Sequence, residues 1–96
     1  MDTPEMIGER LKLLREAFGF TEAKAWCDHI GIATNAWNHF ERGRRPITVK
    51  DALKVATKTG VTLDWIYRGL EETLPVRVQK ALTDAANGIL SDRLRS

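Results

Sequence analysis

The chain has few of the residues that covalent or metal-based stabilisation requires. It contains one cysteine, Cys27, among 96 residues, so no disulfide can form within the chain. Two histidines and one cysteine are too few for a structural zinc site, which takes four ligands. We therefore expect no disulfide, no metal and no cofactor, and the single cysteine fits a reducing cytoplasm.

Long apolar segments are also missing from the sequence. No apolar run approaches the roughly 20 residues of a membrane-spanning helix, and the first residues lack the apolar core of a signal peptide. The alternation of apolar and polar residues that is typical of a half-buried strand does not occur. The expected class is an all-α cytoplasmic protein with no membrane segment.

The basic residues are unevenly distributed along the chain. The net charge of +2 does not by itself indicate a nucleic-acid partner. Over residues 41–58, however, only Glu41 and Asp51 accompany six basic residues, which are Arg42, Arg44, Arg45, Lys50, Lys54 and Lys58. After residue 70, acidic and basic side chains balance. The positive charge is therefore concentrated in the middle of the chain.

Apolar residues recur at helical spacing in five segments, each of which ends at a glycine, and all but the third start at a capping threonine. These predicted helices run from Thr3 to Gly19, Thr21 to Gly31, Thr34 to Gly43, Thr48 to Gly60 and Thr62 to Gly69. The residues predicted to point inward on the first, second, fourth and fifth are Ile7, Leu11, Leu14, Phe18, Ala23, Trp26, Cys27, Ile30, Ala52, Leu53, Val55, Ala56, Leu63, Trp65 and Ile66.

The segment CDHIGIATNAWNHFERG, at residues 27–43, is the most informative part of the chain. Its spacing predicts two short helices joined by a tight turn at Gly31, where a positive φ costs glycine little. Cys27 is small enough to let the helices cross closely, and Ile32, Trp37 and Phe40 anchor the second helix on the core. The side chains left on its outer face suit the major groove of DNA, and they are Thr34, Asn35, Asn38, His39 and Arg42.

Residues 7–69 resemble the DNA-binding domains of phage Cro and repressor proteins, of the xenobiotic-response-element type. Four pieces match in the family's order and spacing: IGERLKLLRE at 7–16, the helix-turn-helix at 23–42, ERGRRPI at 41–47 and TGVTLDWIYRG at 59–69. The resemblance implies a five-helix lambda-repressor-like domain over residues 1–70, with a C-terminal helical extension over 71–96. It also implies a bacterial or phage transcription regulator that binds double-stranded DNA as a homodimer.

The same resemblance implies which residues contact DNA. Bases would be contacted by Thr34, Asn35, Asn38 and His39. Asn35 could pair bidentately with adenine, and His39 could bond guanine or a phosphate. Phosphates, which fix the register of the protein on DNA without specifying sequence, would be held by Thr21, Lys24, Arg42, Arg44 and Arg45.

Two positions depart from the family's pattern and leave alternatives open. The family often has a glutamine at the start of the second helix, where it helps to hold a phosphate, and this chain has Ala23 there. The phosphate contact is then made by Lys24 or by Thr21, or it is absent. Ala33 replaces the usual serine cap, so Thr34 either contacts a base or caps the helix. Asn38 either contacts a base or lies in water beside the groove.

The segment from Pro75 to Ser96 carries a further apolar stripe, in which Val78, Leu82, Ala85 and Ile89 keep helical spacing, with Leu90 and Leu94 nearby. The stripe packs either on the chain's own core or on a partner chain. Asn87-Gly88 either interrupts the helix or ends it, and the chain after residue 88 is then a short second helix or disordered. The predicted dimer surface is either this stripe or the fifth helix near Trp65 and Tyr67.

The predicted function is a sequence-specific DNA-binding transcription regulator, a repressor that binds an inverted-repeat operator as a dimer. The alternative is an antitoxin or protein-interaction module of the same fold, whose tail binds a partner protein. We expect no enzyme activity. Cys27, Asp28 and His29 are neighbours on one helix, point in different directions and cannot converge on a substrate.

Overall fold

The computed structural model describes residues 2–88, whose regular secondary structure is helical, with no strand among them. The prediction of an all-α fold is confirmed for this part of the chain. Its helices are α1 (Pro4–Ala17), α2 (Ala23–Ile30), α3 (Thr34–Glu41), α4 (Val49–Thr59), α5 (Leu63–Arg68) and α6 (Val76–Ala86), with a 3-10 turn at Glu71–Thr73 before α6. Over residues 2–88, no helix has both the length and the apolar character needed to cross a membrane.

Three of the four predicted threonine caps are confirmed. The side chains of Thr3, Thr48 and Thr62 each accept a hydrogen bond from the main-chain N–H three residues later, at 3.0–3.2 Å. The prediction that Thr21 caps the second helix was wrong. The cap residue of α2 is Glu22, which makes no side-chain capping bond. Thr21 instead precedes the helix, where its main-chain carbonyl accepts a bond from the Arg15 side chain at 2.8 Å.

The core contains buried residues of all six helices, and all three tryptophans belong to it. Trp26 and Trp37 are fully buried and meet edge to face, with ring centroids 5.8 Å apart. Such aromatic pairs add to the stabilisation from burial alone. The predictions that Trp26, Trp37 and Trp65 belong to the core are therefore confirmed.

The prediction that Leu53 points inward was wrong. Leu53 is 51% exposed, whereas Ala52 and Val55 are fully buried. α4 contacts α2 and α5 along one stripe that includes Ala52, Val55 and Thr59. A residue next to this stripe lies about 100° around a helix of 3.6 residues per turn, so Leu53 faces away from the core. Several other predicted inward residues are half-buried at its edge, and these are Phe18, Ala23, Ala56 and Leu63.

Within residues 2–88, the apolar stripe of the C-terminal segment packs on the chain's own core. α6 lies against α1, and Leu74, Val78 and Leu82 are buried in the same cluster as the residues of the first five helices. Deleting residues 75–96 would therefore remove core side chains as well as any dimer surface. Ala85 is half-buried, whereas Ile89, Leu90 and Leu94 lie outside the described residues.

Candidate nucleic-acid interface

α2 and α3 are joined by a three-residue turn that begins at Gly31. Gly31 adopts a left-handed conformation with φ +79°, as its position in the sequence predicted. The main-chain N–H groups of Gly31 and Ile32 both donate to the Cys27 carbonyl, at 2.8 and 3.2 Å. Cys27 itself is buried, with 2% of its surface exposed. The turn and the helix crossing are thus built around one small buried residue.

α3 is held on the core by two aromatic side chains. Trp37 and Phe40 are 0% and 1% exposed, and Ile32 of the preceding turn is also buried. Because positions three and four apart share one face of a helix, burying these two residues leaves the polar side chains of α3 on its other side, where Asn35 is exposed and Thr34, Asn38 and His39 are half-buried. The structure therefore gives α3 the two-sided character that its sequence predicted.

The four residues predicted to contact bases differ in how far they project. Asn35 is exposed, whereas Asn38 and His39 are half-buried. Thr34 is also half-buried and is the first residue of α3, since the cap position belongs to Ala33. The alternative in which Thr34 caps the helix was therefore wrong. Of the four, Asn35 is the residue most open to a partner.

The Thr34 side chain interacts with the buried thiol of Cys27. Burial raises the pKa of Cys27, and the hydrogen bond with Thr34 offsets part of that rise. The thiol is consequently held in its neutral, less nucleophilic form.

Stability is expected to fall in alkaline solution because of Cys27. The unfolded thiol ionises near its ordinary pKa of about 8.5, whereas the pKa of the folded thiol is raised. The unfolded state loses its proton first, so the free energy of unfolding is constant below the ordinary pKa and decreases as pH rises toward the folded value. Urea denaturation at about pH 7 and about pH 9.5 should show a larger loss for the wild type than for Cys27→Ala.

Ionisation of Tyr67 also lowers the free energy of unfolding in alkaline solution, but it does so equally in the wild type and in Cys27→Ala. Burial raises the pKa of Tyr67, whose hydroxyl donates to the Ile47 carbonyl at 2.6 Å, so its contribution has the same sign. Tyr67 is present in both proteins and cancels in the difference between them. Equal alkaline losses in the wild type and Cys27→Ala would contradict a raised thiol pKa.

The residues predicted to bind phosphates form two groups. Arg42, Arg44 and Arg45 follow α3 directly and are exposed, and none has an acidic partner within residues 2–88. The Arg45 guanidinium lies 5.5 Å from the centre of the Phe40 ring, which restricts its direction. At the start of α2, the Thr21 side chain is exposed and Lys24 pairs with Asp28 at 3.3 Å on the surface.

A buried ion pair that the sequence analysis missed connects α1 to α3. The Arg15 guanidinium donates to both carboxylate oxygens of Glu41, at 2.6 Å from Nη2 and 3.2 Å from Nε. The remaining nitrogen, Nη1, donates to the carbonyls of Phe20 and Thr21 at 2.9 and 2.8 Å. The Trp37 indole N–H also donates to Glu41, at 2.5 Å. One arginine thus ties together α1, the start of α2 and the end of α3.

The pKa of Arg15 is raised, chiefly by its hydrogen bond to Glu41, so the guanidinium stays charged at any ordinary pH. A signal for this pair exists in the sequence. Arg15 directly follows Leu14 on the inward side of α1, and Glu41 lies four residues after Trp37, one turn along α3. A charged residue on each of two buried faces indicates a buried pair.

α1 and α3 approach each other closely at Gly8. A Cβ atom at this position would lie 2.5 Å from the Glu41 carbonyl oxygen and 2.7 Å from that of Phe40. Only glycine fits this contact, because the nearest atoms belong to the main chain of α3. Gly8 and Arg15 therefore fix the distance and the direction of α3 relative to α1.

Comparisons of the chain with protein-family models, with curated proteins and with solved structures found no match. The relation to Cro and repressor proteins therefore stays a prediction from the sequence motifs. The structure contributes the geometry of the outer face of α3 and of the arginines that follow it.

Proposed function

We propose that this protein is a sequence-specific DNA-binding transcription regulator, a repressor that inserts α3 into the major groove. The observation that carries the proposal is the combination of an α3 held on the core with a polar face that is exposed at Asn35 and half-buried at Asn38 and His39. Trp37, Phe40 and the Arg15–Glu41 pair fix the helix from behind. Asn35 projects freely from the other side, with His39 one turn further on. An amide and an imidazole at these places are able to bond base edges.

The charge that follows α3 supports the same proposal. Arg42, Arg44 and Arg45 are exposed and have no acidic partner within the described residues. Phosphate oxygens line both edges of the major groove, so guanidinium groups at the end of a groove-bound helix would meet them. These contacts would supply affinity and register, and the α3 side chains would supply sequence preference.

A homodimer is part of the proposal, because one short helix covers only half of a typical operator. Two copies related by a two-fold axis would bind half-sites roughly 34–36 Å apart, which requires an inverted repeat. The chain itself covers part of both dimer surfaces considered: Val78 and Leu82 of the C-terminal stripe are buried, and so is Trp65 of α5, whereas Tyr67 is half-buried. Burial therefore does not select one of the two surfaces.

Selection from random duplex DNA with the purified full-length protein tests the proposed function. The expected result at near-physiological salt is enrichment of an inverted repeat whose half-sites are one helical turn apart. Recovery of no motif, with uniform salt-sensitive binding or none, would count against a sequence-specific regulator. That result would favour the alternative of an antitoxin or protein-interaction module, and the search would turn to a protein partner.

The Asn35→Ala and His39→Ala variants test the assignment of the base-contacting face. Each should weaken binding to the selected site by about 1–3 kcal/mol and relax the preference at one position per half-site. The exposed Arg44 provides the control, since Arg44→Gln should weaken all sequences about equally. The assignment would be wrong if both alanine variants bound the selected site as tightly and as selectively as the wild type.

A further inference from the structure

A concave site, here called the α4 groove, lies between the end of α2 and the outer side of α4. Its volume is about 290 Å³, and it is lined by Ile30, Lys50, Leu53, Lys54, Thr57 and Lys58. Leu53 is 51% exposed, whereas Ile30 belongs to the buried core. A single exposed leucine is common on protein surfaces. Here the leucine shares a concave site with an isoleucine, so an apolar side chain placed there would have apolar neighbours on both helices.

The charged side chains that line the α4 groove are all lysines. Lys50, Lys54 and Lys58 recur every four residues, so they form a row along one side of the helix. The Lys54 ammonium is already engaged, since it donates to the Gly31 carbonyl at 3.0 Å and lies 3.7 Å from a carboxylate oxygen of Asp51. Lys50 and Lys58 are exposed, and within residues 2–88 neither has a carboxylate within 4.0 Å. These two residues are about 12 Å apart along the helix axis.

This combination of side chains favours a protein partner over DNA. The phosphates of DNA are bound by polar and charged groups, so a leucine and an isoleucine between the lysines would add nothing to their binding. A protein interface, in contrast, buries an apolar centre and surrounds it with a polar rim. In the α4 groove, Leu53 and Ile30 correspond to the centre, and Lys50 and Lys58 correspond to the rim.

The charge of the α4 groove also selects among protein partners. In a two-fold dimer each copy presents the same surface to the other, so the lysine rows of two copies would face each other. Like charges placed across an interface disfavour the complex, whereas opposite charges favour it. A partner that carries carboxylates therefore fits this surface better than a second copy of the chain does.

We infer that the α4 groove binds an acidic amphipathic segment of a partner protein. One large apolar side chain of that segment lies against Leu53 and Ile30, and carboxylates on either side of it pair with Lys50 and Lys58. The distance between the two lysines suits a helical segment whose acidic residues are about seven or eight positions apart. The inference does not rest on the proposed DNA contacts, which lie on and directly after α3 and at the start of α2. It also differs from the alternative in which the C-terminal tail binds a partner.

Selection from a displayed library of random peptides, each long enough for several helical turns, tests the inference with the full-length protein as the target. The expected result is enrichment of peptides that carry two acidic residues about two turns apart, with a large apolar residue between them. Enrichment of no peptide, or of peptides without acidic residues, would overturn the inference.

A substitution at the apolar centre shows whether the selected peptides bind in the α4 groove. Leu53→Gln should weaken their binding about tenfold, because it removes the central apolar contact. Met6→Gln is the matched control, since Met6 is 46% exposed on α1 and outside the groove, and it should bind the peptides as the wild type does. Both substitutions replace exposed side chains, and urea denaturation checks that both variants stay folded. Equal peptide affinities of the two variants would contradict binding at Leu53.

An exchange of charges tests the pairing with the lysines. The double variant Lys50→Glu with Lys58→Glu should lose the selected peptide, and it should instead prefer a peptide in which lysines replace the acidic residues. Lys12→Glu with Lys80→Glu changes the net charge equally at exposed positions outside the α4 groove, and it should keep the wild-type preference. A Lys50, Lys58 double variant that still preferred the acidic peptide would overturn the inference.

Two further measurements recognise other occupants of the α4 groove. If Leu53→Gln has a lower mass in solution than the wild type, the groove is an interface between copies of this chain. If Lys50→Gln with Lys58→Gln lowers the salt dependence of affinity for a random-sequence duplex, DNA lies on the groove. Either result overturns the inference. The proposed function is judged separately by selection from random DNA, whose outcome Leu53→Gln should leave unchanged.

Discussion

Replacing Arg15 with methionine is expected to lower the free energy of unfolding by about 3–5 kcal/mol, although no large cavity is created. The Glu41 carboxylate would lose both bonds from the guanidinium, and its side chain is only 13% exposed. A buried charge without its partner is costly because neither water nor a donor replaces the lost interaction. The carbonyls of Phe20 and Thr21 would lose their donor as well.

Urea denaturation of Arg15→Met, Glu41→Leu and the double variant measures this effect. The double variant should be more stable than Arg15→Met, because it removes both charges together. Arg68→Met is the control, since Arg68 and Asp64 are 3.6 Å apart but more than half exposed. Such surface pairs contribute at most about 1 kcal/mol. Similar losses for Arg15→Met and Arg68→Met would contradict a structural role for the buried pair.

Replacing Gly8 with alanine is expected to cost about 3 kcal/mol, near the upper end for overpacking by one methyl group. Intrinsic helix propensity alone predicts the opposite sign, since alanine is favoured over glycine by about 1 kcal/mol in a helix interior. The new Cβ atom would lie 2.5 Å from the Glu41 carbonyl oxygen, so α1 and α3 would have to separate. The nearest atoms are main-chain carbonyl oxygens of α3, which cannot move aside as the end of a flexible side chain can.

Thermal and urea denaturation of Gly8→Ala and Glu9→Ala tests this prediction. Glu9 is the next residue of α1 and is exposed, so its replacement by alanine should change stability by no more than about 0.5 kcal/mol. An unchanged or raised stability of Gly8→Ala would mean that α1 and α3 are less closely packed than described.

Both variants also bear on DNA binding, because Gly8 and Arg15 hold α3 without touching its outer face. A shift of α3 relative to α1 and α2 would move Asn35 relative to Thr21 and Lys24 at the start of α2. Base and phosphate contacts would then no longer form together, since a binding surface requires its side chains to be held in place by the residues behind them.

The local features of this protein could be predicted from its sequence. Thr3, Thr48 and Thr62 cap the helices as expected, and α2 ends at Gly31 in a left-handed conformation. Helical periodicity also identified Trp37 and Phe40 as the buried side of α3. These features depend on residues within about one turn of each other, so the information lies in a short stretch of chain.

The errors arose where a neighbouring element decides the outcome. Thr21 does not cap α2, because Arg15 of α1 holds its carbonyl ahead of the helix. Leu53 is exposed because α2 and α5 contact a different side of α4. In each case the residue type suited the predicted role, but contacts with another helix determined the role that the residue has in the structure.

The sequence by itself determined the helices, the caps at Thr3, Thr48 and Thr62 and the two-sided character of α3, because these follow from propensity and spacing. Only the tertiary structure decided how α3 is held and which residues surround it. The Arg15–Glu41 pair joins residues 26 positions apart, and the approach at Gly8 depends on how closely α1 and α3 cross. The packing of α6 on α1 likewise arises only when helices distant in sequence meet. Burial, charge pairing and steric fit between such helices are properties of the packed chain, which no single segment contains.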